Sequence, residues 1–318
     1  MSSYQNLHWV QAFRQGIRIL AQQRGSRLRE AVDVDPSVTG DRAFYDTMQL
    51  TSMVPITDRH GKTQITDTVL ARRMVTLSPF EKADLVDQVD LRRVLNDPTS
   101  SMAVNFGYAA GRQMDDAILA AITATALTGQ TGTVSVTLPA ANRIDMLGAA
   151  GGSGHTSADG RNFKLSTLTL ARRLLESFDN DSDAMDFSWH CAWRSVDRKA
   201  VFDIATPNPF TSSDYNTVKA LVNGELNTFL GFNFHRTERL LATVGGVSGG
   251  TIATVPTDVP FWVKASMKLA LAQDAKVSIK ERVDLRESMQ VRMVLDLGAT
   301  RLDELGVVVA EVNTIFNA

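Results

Sequence analysis

The chain has 318 residues, of which 44% are hydrophobic, ample for a core and too many for a disordered protein. Its 33 Lys plus Arg against 35 Asp plus Glu leave a formal charge of −2, which excludes a global electrostatic footprint for nucleic acid or an anionic membrane. The single cysteine, Cys191, rules out an intramolecular disulfide and a multi-cysteine zinc site and fits a reducing cytoplasm. No apolar run reaches the roughly 18 residues of a membrane span, and arginines interrupt the first twenty or so residues where a signal peptide needs an apolar centre. The length exceeds the usual domain of about 100 to 200 residues, so two subdomains are expected.

Residues 1–45 read as an arm. Tyr4, Leu7, Val10, Ile17 and Leu20 can form one side of a helix, while Arg14, Arg18, Arg24, Arg27 and Arg29 place five positive charges ahead of the first acid, Glu30. Such a segment cannot bury its face alone. It is expected to lie against its own or a neighbouring subunit, with the arginines meeting acidic protein, nucleic acid or solvent.

Residues 46–90 read as an extended hairpin. Leu50 to Thr57 and Thr63 to Thr76 are rich in Val, Ile, Thr, Met and Leu, and Asp58-Arg59-His60-Gly61 between them has turn chemistry. A lone two-stranded hairpin is marginal in water, and a long flat edge invites pairing with another chain, so a neighbouring copy is the expected support. Ser78-Pro79 is expected to end the hairpin, and Phe80 to Leu95 has a helix-like spacing of Leu85, Val89 and Val94.

The strongest helical signal follows, from Asp97 to Gly129. Asp97 offers an N-cap oxygen, Pro98 suits the first helical position, and Gly129 offers a left-handed stop. Phe106, Ala110, Met114, Ala117, Ile118, Ala121 and Ile122 fall on one face, and Ala109, Ala110, Gly111, Ala117, Ala120 and Ala121 allow close approach to the backbone. At roughly 1.5 Å per residue this spine is about 45 Å long. Arg112 is expected to form local charge pairs with Asp115 and Asp116 on its solvated outer face.

Beyond it, Thr133 to Leu138 alternates like a strand, Ala149 to Gly160 is a glycine-rich loop, and Leu165 to Phe178 is an amphipathic helix. Ala184 to Trp193 is expected as a strand with Phe187, Trp189, Cys191 and Trp193 on a buried face. Asp214 to Val222 predicts a short helix, Leu226 to Arg239 a strand or hairpin broken at Gly231, and Gly245 to Gly250 a turn. From Phe261 the pattern is strongly β: Val263 to Leu271, Val277 to Leu285 and Val291 to Leu297 alternate, Gly298 is expected to break the run, and Gly306 precedes a last strand from Val307 to Val312.

Catalytic signatures are missing from the sequence. There is no Walker A loop, Ser153 lacks the Gly-x-Ser-x-Gly elbow, and the glycines at 151–154 and 245–250 lack the strand and helix context of a phosphate site. The five histidines are far apart in sequence, and His190 and Cys191 should point to opposite faces of a strand, against a dyad. Trp189 and Trp193 read as core. No catalytic, cofactor or metal residue is assigned.

Several stretches resemble the major capsid proteins of tailed bacteriophages, the fold named for phage Hong Kong 97, in a subfamily common among podoviruses. They are Leu70-Ala71-Arg72-Arg73, Asp97-Pro98-Thr99-Ser100-Ser101, the block from Ser212 to Glu225, Phe229-Leu230-Gly231-Phe232 and the block from Gly298 to Glu304. The resemblance covers nearly everything from about residue 46 onward, and the Ser212 to Glu225 block is its most specific part.

The resemblance implies an α+β fold divided into an N-terminal arm (1–45), an extended loop (46–90), a peripheral domain with the spine helix (91–135), an axial domain (136–275) and returning peripheral strands (276–318). It implies a homo-oligomer of hexamers and pentamers in an icosahedral shell around double-stranded DNA, assembled in the host bacterial cytoplasm and residing in the virion. Met53, Ile56, Arg59, Lys62, Ile65, Arg72 and Arg73 would make inter-subunit contacts from the loop, and Arg14, Arg18, Arg24, Arg27 and Arg29 contacts to a neighbour or the genome. Relatives that join subunits by a Lys–Asn isopeptide bond make Lys62 a conceivable participant. With little chain ahead of the spine, a separate scaffolding protein is expected, together with a portal protein, a decoration protein as a further candidate, and no membrane or cofactor. Two alternatives stay open: an encapsulin-like cellular shell, which predicts an inner cargo groove, and a cytoplasmic α/β enzyme, which needs a deep polar pocket.

Overall fold

The computed structural model describes residues 22–48, 51–57, 59, 61–87, 99–144, 163, 165–177, 188–198, 228–240, 257–285 and 287–312. The expected arm helix over residues 4–20, the loop at 149–160, the helix at 214–222 and the turn at 245–250 lie outside the described residues. Described in chain order are β1 (Asp33–Asp35), β2 (Arg42–Met48), β3 (Leu70–Thr76), β4 (Ser78–Val86), α1 (Thr99–Thr123), β5 (Ala126–Thr128), β6 (Val134–Val136) and β7 (Arg143–Ile144). They are followed by α2 (Leu165–Glu176), β8 (Trp189–Trp193), β9 (Thr228–Phe229), β10 (Phe232–Arg236), β11 (Thr257–Val263), β12 (Met267–Arg282), β13 (Ser288–Arg301) and β14 (Val307–Val312).

Three sheets result. The first, in the order β1-β12-β13-β4, is built on the long antiparallel pair β12 and β13. α1 lies across it, burying Phe106, Ala110, Met114, Ile118 and Ile122 against Leu269, Leu271, Val291, Met293, Leu295 and Leu297. Side chains at every second residue of β13 meet side chains at every third or fourth residue of α1, so each periodicity serves the other. Each of these side chains other than Ala110 stabilises the fold by about 1.5–3 kcal/mol when fully buried.

The second sheet, β7-β14-β11-β8-β10-β9, has its own core, in which α2 contributes Leu168, Ala171 and Leu175 against Val259, Phe261, Val308 and Ala310. All five residues of β8 are buried, so this strand is covered on both faces. β9 and β10 form the expected hairpin, closed by Leu230 and Gly231 with φ of 52° and 82°, the left-handed pair of a tight hairpin turn. The third sheet, β2-β3-β5-β6, forms the base of the hairpin.

Several expectations change. The spine ends at Thr123, and Ala126–Thr128 leaves it to pair with Arg73 and Met74 of β3. Gly129 therefore sits in the β5–β6 turn, where its carbonyl accepts from Gly132 at 3.2 Å. The hairpin strand β3 ends at Thr76, and Ser78-Pro79 then begins another strand: β4 pairs with β13 from Val86↔Met289 to Ser78↔Leu297, and the helical reading of Phe80 to Val86 fails. Pro79 is tolerated because β4 is the outer strand of its sheet. The Val263 to Leu271 alternation is interrupted by a single 3-10 turn at Lys264–Ser266, which carries the chain from the second sheet to the first. Val283–Leu285 likewise forms a turn, between β12 and β13.

Gly298 does not break the last run. It lies inside β13 opposite Ala270, and a Cβ there would overlap the carbonyl oxygen of Thr76 and come within 2.8 Å of Val75 Cγ1. The glycine is one contact by which the hairpin base reaches the long-stranded sheet, beside the packing of Val75 and Leu77 with Ala270. Gly298→Ala should therefore cost about 1–3 kcal/mol by overpacking, measured as a lowered urea midpoint with an unchanged slope.

Candidate assembly interface

The hairpin is laddered only at its base, from Arg42↔Thr76 to Met48↔Leu70. Across it, the Arg72 guanidinium binds both Asp46 oxygens, at 2.6 and 3.1 Å, and lies over the Phe44 ring; this bond holds the Asp46 carboxyl below its ordinary range. Residues 51–57 and 61–69 carry on without strand pairing, in place of the two strands expected there. Among the described residues no cross-strand partner stabilises them, and their side chains are exposed: Met53 is 100% exposed, Ile56 93% and Ile65 90%, with Val69, Leu70, Arg59 and Lys62 also exposed. Large apolar side chains grouped in this way mark an interaction surface.

Arg73 differs from its neighbours. It is turned inward, donating to the Leu302 carbonyl at 3.0 Å and pairing with Glu304, so it anchors the hairpin base within the chain. Beside it, Arg301 is wholly buried. Its Nη1 donates to the carbonyls of Ile122 and Ala124, both at 2.5 Å, and Nη2 reaches that of Val136 at 3.3 Å. A cation placed on the last carbonyls of a helix satisfies acceptors that lack intrahelical donors and faces the negative end of the helix dipole. This cap explains why α1 stops at Thr123 and does not run on to Thr128.

The arm arginines fall into two groups. Arg14 and Arg18 lie outside the described residues, and Arg24 is exposed. Arg27 donates to the Arg236 carbonyl at 2.6 Å, and Arg29 pairs with Asp274 at 2.8 Å. Their segment is fixed by Asp115, which the solvated-face expectation misplaced. Asp115 is 0% exposed and accepts from the backbone N–H groups of Arg27 and Leu28, the Ser26 hydroxyl and the Gln23 amide. Gly111, one turn earlier, packs against Gly25, with no room for a Cβ. Asp116 pairs with Arg239 and Arg112 donates to Gln22, so the local charge pairs expected on the helix do not form. The missed signal was spacing: Gly111, Asp115, Ile118 and Ile122 continue the buried stripe.

The parallel pairing of β8 with β10 also joins two histidines distant in sequence. His190 Nδ1 and His235 Nε2 are 2.9 Å apart, and the Ser188 hydroxyl lies 2.8 Å from His190 Nε2. Both rings stack near Trp262. Burial, then the adjacent His235 and Lys264, push His190 down to about 3, and burial also lowers His235 against the opposing pull of Asp115 and Glu30. The pair is a neutral, hydrogen-bonded core element. Cys191 and the tryptophans of β8 are core as well, with burial raising the thiol well above its ordinary range. Among the described residues no group of three or more His, Cys, Asp or Glu could hold a metal, and no helix is long and apolar enough to cross a membrane.

A long helix on long strands, a separate six-stranded sheet and a protruding apolar hairpin define a capsid architecture, the α+β Hong Kong 97-type fold. Residues 6–313 match the family described as phage capsid protein, and the chain belongs to that family, one of structural capsid proteins. Its fold is similar to the capsid of Ralstonia phage GP4, with TM-score 0.73, 11% identity, and 98% of this chain and 97% of that one covered. It is also similar to the capsid asymmetric unit of cyanophage Pam1, with TM-score 0.68, 14% identity, and coverage of 100% and 99%. For the mature capsid of bacteriophage PhiM1 the TM-score is 0.65 at 11% identity, with coverage of 96% and 92%. No curated protein matches the sequence. The encapsulin alternative is not favoured by these similarities.

The unfolded chain takes up protons on its histidines near pH 6.5, whereas His190 stays neutral to about 3 in the fold. Stability from this site is therefore present above pH 6.5 and lost as pH falls below it, by about 2 kcal/mol at pH 5 for His190. Urea titrations at pH 8 and pH 5 should show that loss, and His190→Gln should flatten it. Arg301→Met should cost about 3 kcal/mol or more by stranding buried carbonyls. Arg301→Lys should recover only part of this, since one ammonium cannot span the carbonyls of Ile122, Ala124 and Val136.

Proposed function

We propose that the chain is the major capsid protein of a tailed bacteriophage, assembling as hexamers and pentamers into the icosahedral head around double-stranded DNA. The observation that carries this reading is the hairpin. A member of the capsid family exposes Met53, Ile56 and Ile65 on a projection that no described residue covers. The cover is a neighbouring copy, and Arg59, Lys62 and Arg72 line the same contact. Head-to-tail contacts of this kind are heterologous and close into rings. With an interface of standard size burying about 1,600 Å², a subunit held by several neighbours gains stability from many weak contacts.

In this reading α1 and the four-stranded sheet of β12 and β13 form the peripheral unit, so the expected boundary at 275 falls inside β12, and the six-stranded sheet with α2, which takes in β14 from the stretch expected to be peripheral, forms the axial unit facing the symmetry axes. The work is mechanical, without catalysis. A separate scaffolding protein guides assembly in the host cytoplasm, a portal protein occupies one vertex, and packaged DNA meets the inner surface, with the exposed Arg24 as one contact to it.

The test is negative-stain electron microscopy of the purified chain, alone and with the phage's scaffolding protein. Closed shells or rings are expected, and a stable monomer under both conditions would overturn the reading. Ile56→Asp combined with Ile65→Asp should reduce shell yield at least tenfold. The subunit's thermal midpoint should stay unchanged, since substitutions at fully exposed positions usually shift stability by less than about 0.5 kcal/mol.

A further inference from the structure

Residues 22–31 cross α1 as a strap, and their hold on the body has two parts. Asp115 binds Gln23, Ser26, Arg27 and Leu28, while Leu28 and Ala31 are wholly buried and the Ala31 carbonyl accepts from Trp262 Nε1 at 2.8 Å. The second part is titratable. The His235 ring donates to the Arg27 backbone carbonyl, and Arg27 Nη1 donates in turn to the Arg236 carbonyl at 2.6 Å.

A neutral imidazole carries a single N–H. With that of His235 given to Arg27, His235 Nε2 accepts from His190 Nδ1 at 2.9 Å, and His190 Nε2 accepts from the Ser188 hydroxyl at 2.8 Å. One direction therefore runs through this series of bonds, from Ser188 across β8 and β10 to the strap, and it uses both rings in the neutral form. A proton added at His235 Nε2 would point at the N–H of His190, and one added at His190 Nε2 would leave a buried cation beside Lys264.

Burial holds both rings neutral below the ordinary histidine range. Charges reach the pair from each element packed on it. Lys264, in the turn after β11, repels a cation at His190, whereas Asp115 of α1 and Glu30 of the strap attract one at His235 without overcoming burial. An open concavity of about 430 Å³, lined by Ser26, Arg27, Glu30, Phe234, His235 and Arg236, leads from solvent to the His235 side of the pair.

We propose that the histidine pair is a proton-sensitive latch: in mild acid residues 22–31 lift off α1 and β10 while the long-stranded sheet stays folded. Lifting gives the His235 ring to water, where its charged form is solvated, so opening takes up a proton that the closed strap refuses. The closed strap is at full stability above about pH 6.5, the ordinary histidine value, and loses it as pH falls below. Only Leu28 and Ala31 among residues 22–31 are buried, so this opening removes little from the core and precedes global unfolding. The latch does not depend on whether the chain forms shells.

Hydrogen–deuterium exchange of the full-length chain at pH 7.5 and pH 5, corrected for the intrinsic amide rate, tests it. Over labelling times in which β13 stays protected at both pH values, the peptide carrying Leu28 to Ala31 should exchange about tenfold faster at pH 5. His235→Gln keeps a donor and does not titrate, and it should abolish that difference. An unchanged difference in the variant would place the titration at Asp115 or Glu30 and overturn the proposal, as would a strap that exchanges only together with β13. A second readout holds if the variant misfolds. Because the native Cys191 is buried, Leu28→Cys in the otherwise native chain reports the strap through a disulfide reagent that works in acid. Relative to a free-thiol peptide, its labelling should outpace that of Cys191 and speed up about tenfold at pH 5. Equal relative rates at the two pH values would equally overturn the assignment.

Discussion

The guanidinium of Arg301, buried where α1 ends, is the contact on which the rest of the molecule depends. It comes from the end of β13, the central strand of the long sheet, and it binds carbonyls of α1, of the loop after it and of β6. Three units that also meet through the core are thereby joined at one polar point: the spine, the long strands and the base of the hairpin. A desolvated cation is costly, and nearby Glu304 with the helix dipole offsets that cost. Arg73 uses the same Glu304 to bring in β3, so hairpin and spine share one electrostatic junction.

Much of the fold was legible because it follows period. The buried face of α1, the alternation in β13, the hairpin at Gly231 and the final strand all come from residues whose spacing matches a single element. What escaped the sequence is what depends on elements meeting. Asp115 looks like any surface acid until the first described segment crosses α1 and supplies its donors. Residues 126–128 have helical neighbours and no breaker ahead of them, and only the Arg301 cap and the pairing with β3 turn them into a strand. Phe80 to Val86 carries a helix-like spacing, but β13 offers it a ladder. The histidine pair required knowing that β8 and β10 run parallel, a relation no local pattern carries.

At the candidate site, the sequence pointed to an apolar stretch in need of support, and residues 51–57 and 61–69 extend past the last rung at Met48↔Leu70 without strand pairing among the described residues. The sequence could not separate Arg72 from Arg73. Adjacent strand residues face opposite ways, and which of the two faces the body depends on where Glu304 and Leu302 lie.

A subunit that displays this much apolar surface has to avoid growing into fibres, and the outer strand β4 shows how it does so. Nine residues of backbone lie at a sheet edge, yet Pro79 removes one donor, and Glu81, Lys82 and Asp84 set charges along the strand. Another strand cannot add there without burying them. Copies are left to meet through side chains, whose geometry closes on itself, and the stacking of backbones, which has no natural end, is refused.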